Sequence, residues 1–176
     1  MNNPLNFSTF AELVAHLELT PHVEGGFYRE TYRGEQIVQT ERGPRNDLTS
    51  IYYCLPSDDF SVWHKLIDLE ETFHYHYGDP AIIYKIVDGK IESETLGPEP
   101  IGQRKIVMPA NLWFAIKPSG IKRPADYSLM SCQVSPGFDF ADLIIADDSI
   151  LSEVTDPKQH KLAASLLKSS HSSRQK

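Results

Sequence analysis

The sequence predicts an all-β domain, a sandwich or barrel, on three observations. Apolar residues recur with a period of two in about ten short runs between residues 27 and 146. Turn signals separate the runs, and no helical pattern intervenes between them, which removes a parallel α/β sheet. The length of 176 residues fits one domain, and ten Gly with twelve Pro is ordinary usage, so fibrous and low-complexity readings fall away.

The first element is a helix. Thr9 and Glu12 have the spacing of a capping box, in which each side chain satisfies an otherwise free amide at the helix start. Phe10, Leu13, Val14 and Leu17 follow as one apolar stripe. Pro21 biases its predecessor away from helical angles, so the helix ends near Leu19. Strands are then expected at 27–33, 48–55, 60–66, 71–77, 81–87, 90–96, 104–108, 112–117, 127–134 and 143–146. Asp88-Gly89 is a two-residue hairpin signal, and Gly78-Asp79-Pro80 and Pro109-Ala110-Asn111 mark further turns. Helix returns at the end, where Asp147 and Asp148 precede SILSEV and Pro157 suits the first position before KQHKLAASLLK. With no repeat and no dividing linker, residues 1–168 read as a single domain and 169–176, SSHSSRQK, as a disordered tail.

Lys plus Arg is 17 and Asp plus Glu is 24, a net charge of −7. An acidic chain without clustered Lys and Arg makes a poor partner for nucleic acid or anionic lipid. No apolar run approaches the roughly 18 residues of a membrane helix, and the N-terminal MNNPLNFSTFAEL lacks the pattern of a secretory signal. Cys54 and Cys132 sit in apolar runs with no C-x-x-C pair, as buried free thiols do in a reducing compartment. A cytoplasmic protein is expected.

The most informative segment is SVWHKLIDLEETFHYHYGDP, residues 61–80. Strand alternation groups Val62, His64 and Leu66 on one face, and Trp63 and Lys65 on the other. Further on it groups Glu71, Phe73, Tyr75 and Tyr77 against Thr72, His74 and His76. His74 and His76 therefore project together, as a metal clamp would, although an outward His pair is equally a solvated feature.

The segment resembles the first cupin motif, H-x-H, three or four residues, Glu, six residues, Gly. His64, Glu71 and Gly78 stand at matching positions. The second cupin motif is matched from Gly102 to Pro109-Ala110-Asn111 and Phe114, with Asn111 at a Gly turn position that Asn tolerates. The strings HVEGGFYRETYRG, TSIYYCLP, FSVWHKL, FHYHYGDP, LGPEPIGQRKIVMPANLWFA and VSPGFDFADLIIAD are similar, in this order, to a cupin subfamily of unassigned function. Its members resemble sugar-nucleotide epimerases in fold. The resemblance implies a jelly-roll (double-stranded β-helix) barrel with a short N-terminal helix and a C-terminal helical segment.

Metal-dependent cupins place two His and one Glu in the first motif and one His in the second. This chain has Leu66 and Phe114 at two of those positions. No tightly bound metal or other cofactor is expected, and at most a weakly held divalent ion on His64 and Glu71, with His74 or His76 added if a bulge turned them inward. The expected site is a small-molecule pocket at the barrel mouth. His64 and Glu71 would act as general base and acid with Tyr75 as relay, lined by Leu66, Phe73, Phe114, Tyr52 or Tyr53, and Gln103. Arg29 and Arg33 share a strand face and could hold phosphate, and the resemblance favours Arg29. Serine-hydrolase and P-loop signatures are absent from the sequence. Three functions follow: a metal-independent isomerase or epimerase on a sugar or sugar-nucleotide, a ligand-binding module without turnover, or a metal-dependent cupin with an incomplete ligand set. A homodimer is expected, with strand 27–33 lent to the partner's sheet.

Overall fold

Helix α1 (Phe10–Leu17) starts on the capping box: Thr9 Oγ1 accepts from the Glu12 amide at 3.3 Å, and the Glu12 carboxylate accepts from the Thr9 amide at 3.2 Å. It ends at Glu18, whose φ of 54° turns the chain out of the helix. The computed structural model describes residues 7, 9–121 and 125–168, so the expected tail at 169–176 lies outside the described residues. Thirteen strands follow α1: β1 (Thr20–Pro21), β2 (Phe27–Arg33), β3 (Ile37–Thr40), β4 (Gly43–Asn46), β5 (Thr49–Pro56), β6 (Ser61–Leu66), β7 (Glu70–Gly78), β8 (Ala81–Val87), β9 (Lys90–Leu96), β10 (Lys105–Met108), β11 (Phe114–Pro118), β12 (Tyr127–Ser135) and β13 (Leu143–Ile145). The expected strands are all present, differing by a residue or two at their ends.

Two sheets face each other in a jelly roll. One has the order β1-β2-β5-β12-β7-β10 and the other β13-β6-β11-β8-β9, while β3 and β4 form a separate hairpin. Leu55, Leu66, Phe73, Ile83, Phe114 and Met130 fill the space between the sheets. Helix α1 covers the outer face of the six-stranded sheet, where Leu13 meets Cys54, Tyr127 and Leu129. The C-terminal segment covers the five-stranded sheet, and Trp63 Nε1 donates to the Ala163 carbonyl at 2.9 Å.

The C-terminal helix is shorter than the sequence predicts. The chain makes 3₁₀ turns at Asp148–Glu153 and Pro157–Gln159, then helix α2 (His160–Ser165). Gln159 bonds both the amide and the carbonyl of Ile91, so this segment is shaped by docking on the β9 edge as well as by helix propensity. The β3–β4 hairpin was not legible in the sequence, because GPRN carries Gly and Pro and no alternation. Ion pairs hold it in place: Arg42 Nε and Arg45 Nε each lie 2.6 Å from a carboxylate oxygen of buried Asp142.

Two bulges set which side chains face inward. Between β6 and β11, Phe114 pairs with His64 and Ile116 with Ser61, so β6 holds an extra residue. Ser61 and His64 thus share the inner side, and Val62 joins Trp63 in the outer cluster, against simple alternation. Between β7 and β12, Leu129 pairs with Tyr77 and Met130 with Tyr75, so the extra residue is His76. Glu71, Phe73 and Tyr75 remain on the inner side while Tyr77 turns out against α1.

The turns follow their sequence signals. Asp88 and Gly89 have φ of 49° and 77° between β8 and β9, and Asn111 has φ of 64° at the expected Gly position. Gly78 has φ of 95°, and a Cβ there would stand 1.9 Å from the Tyr127 carbonyl oxygen. Gly78→Ala is therefore expected to lower stability by at least about 1–3 kcal/mol, the usual cost of such backbone strain. Thermal and urea unfolding of the variant measure this directly, and an unchanged midpoint would contradict the geometry.

Candidate functional site

A cavity of about 350 Å³ lies between the two sheets. Its exposed rim carries Glu30, Arg33, Asp139 and Phe140, and its buried interior carries Glu24, Ser61, His64, Phe73 and Cys132. The Gly25-Gly26 turn brings Glu24 inside. Gly25 and Gly26 have φ of 109° and 67°, the Gly25 carbonyl accepts from the Tyr53 hydroxyl at 2.8 Å, and the Glu24 carbonyl accepts from the Val62 amide at 2.9 Å. A Cβ at Gly26 would stand 2.8 Å from the Cys54 carbonyl oxygen, so the turn can lie against β5 only without a side chain there.

His64 is 2 % exposed, and one ring nitrogen is fixed by a hydrogen bond. Its Nδ1 lies 2.7 Å from the Val62 carbonyl oxygen, which requires a proton on Nδ1. In the neutral ring the basic lone pair is then on Nε2, 3.5 Å from Glu24 Oε2. Phe114 packs edge-on against the imidazole, with centroids 4.1 Å apart. Glu24 Oε2 also lies 3.5 Å from His22 Nδ1 and accepts from Ser61 Oγ at 3.4 Å. Burial alone would raise the Glu24 carboxyl, but His64, His22 and Ser61 together hold it below its usual value. Burial pushes the His64 imidazole down against the opposing pull of the Glu24 charge.

Glu71 has the opposite character. Burial, and then the charge of Glu24, push its carboxyl up to about 8. The Cys132 thiol donates to Oε1, and buried Oε2 has no hydrogen-bond partner among the described residues. The cavity therefore holds an imidazole with a free lone pair and a carboxylic acid with a free oxygen, as general acid–base chemistry requires.

His64, Glu71, Leu66 and Phe73 line this cavity, and Phe114 backs the His64 ring. The other residues proposed from sequence lie elsewhere. Tyr75 packs against the inner core, but its hydroxyl donates to the Gly78 carbonyl at 2.7 Å and it does not line the cavity. Tyr52 packs on the α1 side, and its neighbour Tyr53 lines the cavity instead, because β5 register places Tyr53 opposite Tyr28. Arg29 pairs with Glu18 at 3.2 Å and lies over the Tyr52 ring, away from the cavity. Gln103 is exposed and donates to Glu94 at 3.0 Å. His74 and His76 are also outside the cavity lining, since the β7 bulge falls after Tyr75. The carboxylate against His64 is Glu24, rather than Glu71 as the sequence suggests. Sequence reasoning missed Glu24, His22, Ser61 and Cys132 as site residues; only the glycine pair of HVEGGF signals a tight turn at this point.

The four-ligand metal cage of cupins does not fit these residues. Leu66 and Phe114 are apolar, and among the described residues no three His, Cys, Asp or Glu side chains converge to hold an ion.

The raised carboxyl of Glu71 has a consequence for stability. An unfolded glutamate releases its proton near 4.5, whereas folded Glu71 keeps it to about 8. Its stabilising contribution is therefore complete below about 4.5 and is lost as pH rises through about 8, at a limiting slope of about 1.4 kcal/mol per pH unit for one proton. Glu71→Gln cannot ionise, so its melting temperature is expected to fall less than that of the wild type over this window. Parallel pH-melting curves would refute the assignment.

The chain matches the family model described as Cupin superfamily (DUF985) over residues 11–146. A hypothetical protein from Leishmania major is similar at 28% identity, with a TM-score of 0.81 over 91% of this chain and 99% of that one. Protein SO0799 from Shewanella oneidensis is similar at 28% identity, with a TM-score of 0.78 over 92% and 99%. A dTDP sugar isomerase from Desulfovibrio desulfuricans shares 12% identity at a TM-score of 0.49 over 73% and 88%, a likeness too remote to bear on chemistry. A search of curated proteins returned no significant match. With a jelly roll of two facing sheets and a family match over residues 11–146, this chain belongs to the cupin superfamily, in the DUF985 family.

Proposed function

We propose that this protein binds a small hydroxylated molecule between its sheets and moves protons on it, as a metal-independent isomerase or epimerase of carbohydrate-like compounds. The supporting observation is that His64, its Nδ1 committed to Val62 and its Nε2 beside Glu24, and Glu71, its Oε2 without a partner among the described residues, line one cavity, where burial favours the neutral imidazole and keeps the Glu71 proton to about 8. In an isomerisation next to a carbonyl, His64 Nε2 takes the proton from carbon as Glu71 gives its proton to the carbonyl oxygen. His64 then gives its proton to the former carbonyl carbon as Glu71 takes the proton of the neighbouring hydroxyl, which becomes the new carbonyl and completes the shift. The imidazolium formed in the first step faces ionised Glu24, which offsets its charge in a site shielded from water. Burial on aromatic walls keeps water from competing for the proton.

Solvent deuterium incorporation into a panel of sugars and nucleosides, followed by NMR, tests this reading. Exchange catalysed by the wild type should survive dialysis against a chelator and fall about 10²–10⁴-fold in His64→Ala and in Glu71→Gln. Binding without any exchange would favour the non-catalytic module. Stoichiometric metal that survives the chelator and disappears in His64→Ala would favour a metalloenzyme.

We also propose a homodimer joined through β2. Within the chain, β1 pairs only with Phe27 and Tyr28 of β2, which leaves residues 29–33 of that edge without a strand neighbour among the described residues. Open strand edges are templates for pairing with a second chain. Light scattering should give twice the chain mass of 19.9 kDa at micromolar concentration, and a monomer mass would exclude this arrangement.

A further inference from the structure

We infer that the ligand of this cavity is an uncharged, hydroxyl-bearing molecule, and that its phosphorylated or otherwise anionic relatives are rejected. The inference rests on the reading that the cavity binds a small molecule, and it narrows the class of that molecule by charge.

Binding an anion in a partly buried site requires a cation with donors to spare. Among the described residues Arg33 is the one Arg or Lys lining the cavity, and four of its five N–H donors are engaged. Its Nε and Nη2 fork onto the two carboxylate oxygens of Glu30 at 3.0 and 2.7 Å, and its Nη1 donates to Asn46 Oδ1 at 3.0 Å and to the Phe138 carbonyl at 3.3 Å. Arg42 and Arg45, on the neighbouring hairpin, are both held by Asp142. Arg29, the phosphate candidate in the sequence, is on the other side of the sheet with Glu18.

The cavity lining also includes Glu24, Glu30, Glu71 and Asp139. A phosphate or carboxylate entering it would meet carboxylates at the rim and Glu24 at the buried end, and the one lining guanidinium among the described residues is already forked onto Glu30. Uncharged hydroxyls find what they need: Glu71 Oε2 is buried and unpartnered, and the His64 Nε2 lone pair accepts. Tyr28, Phe73 and Phe138 supply apolar walls for the carbon skeleton. The fork of Arg33 on Glu30 thus works as a charge filter, because it ties up the single lining guanidinium that could otherwise hold phosphate.

Titration calorimetry on matched probes tests this: uridine against uridine monophosphate, and glucose against glucose phosphate. At least one unphosphorylated member should bind wild-type protein, with its phosphorylated partner at least tenfold weaker. Glu30→Gln releases the Arg33 fork and should narrow that ratio several-fold. Equal or tighter binding of the phosphorylated member, an unchanged ratio in Glu30→Gln, or binding by no probe would each overturn the inference. Selective binding without deuterium exchange would sink the catalytic reading and leave this one standing.

Discussion

A carboxylate buried among imidazoles is the constraint on which this site depends. Glu24 is only 8 % exposed, and a charge so far from water persists only where hydrogen bonds and opposite charges surround it. Ser61 donates to it, and the His22 and His64 rings lie 3.5 Å from the same carboxylate oxygen, where a proton taken up at His64 Nε2 meets the opposite charge. Much of the local backbone serves that arrangement. The Gly-Gly turn brings Glu24 inward, Tyr53 pins the turn, and the β6 bulge delivers Ser61 and His64 to the same side. The charge of Glu24 then reaches Glu71 and helps keep that second carboxyl protonated. Burial thus sets the direction of both groups with which the cavity could act on a ligand, and this one anion reinforces it at Glu71 and opposes it at His64.

The jelly roll supplies what a smaller element could not, two inner faces at a separation that leaves room for a ligand. Glu30, Ile51, Cys132 and Phe73 stand in one cross-strand row on the six-stranded sheet, and all four line the cavity. Leu66 and Ile116 face them from the five-stranded sheet. Backbone ladders fix the distances between these side chains, as a preorganised site requires.

The fold was legible in the sequence wherever its cause is local. Alternation, the Asp88-Gly89 hairpin, the capping box at Thr9 and the left-handed turn at Asn111 each depend on a few neighbouring residues, and each is found where the sequence puts it. His64 and Glu71 were also legible as a pair sharing a pocket, through spacing and through likeness to cupin motifs. What the sequence concealed is non-local. A bulge moves Val62 outward and Ser61 inward, and nothing in SVWHKL announces it. Glu24 meets His64 across 40 positions of chain. Tyr52 and Tyr53 are alike in type, and only the register of β2 on β5 decides which one faces the cavity. The β3–β4 hairpin is held by Asp142, whose partners lie about a hundred residues earlier.

That hairpin clamp has a consequence for the conditions under which the cavity keeps its form. Arg45 and Arg42 hold the Asp142 carboxyl below its usual range, so the clamp beside the rim residues Asp139 and Phe140 stays charged well into acid. Glu71, at the interior, keeps its proton to about 8. The frame at the mouth thus holds its charge in acid that would neutralise an ordinary aspartate, while the acid within holds its proton until about 8, so mild acid leaves both unchanged.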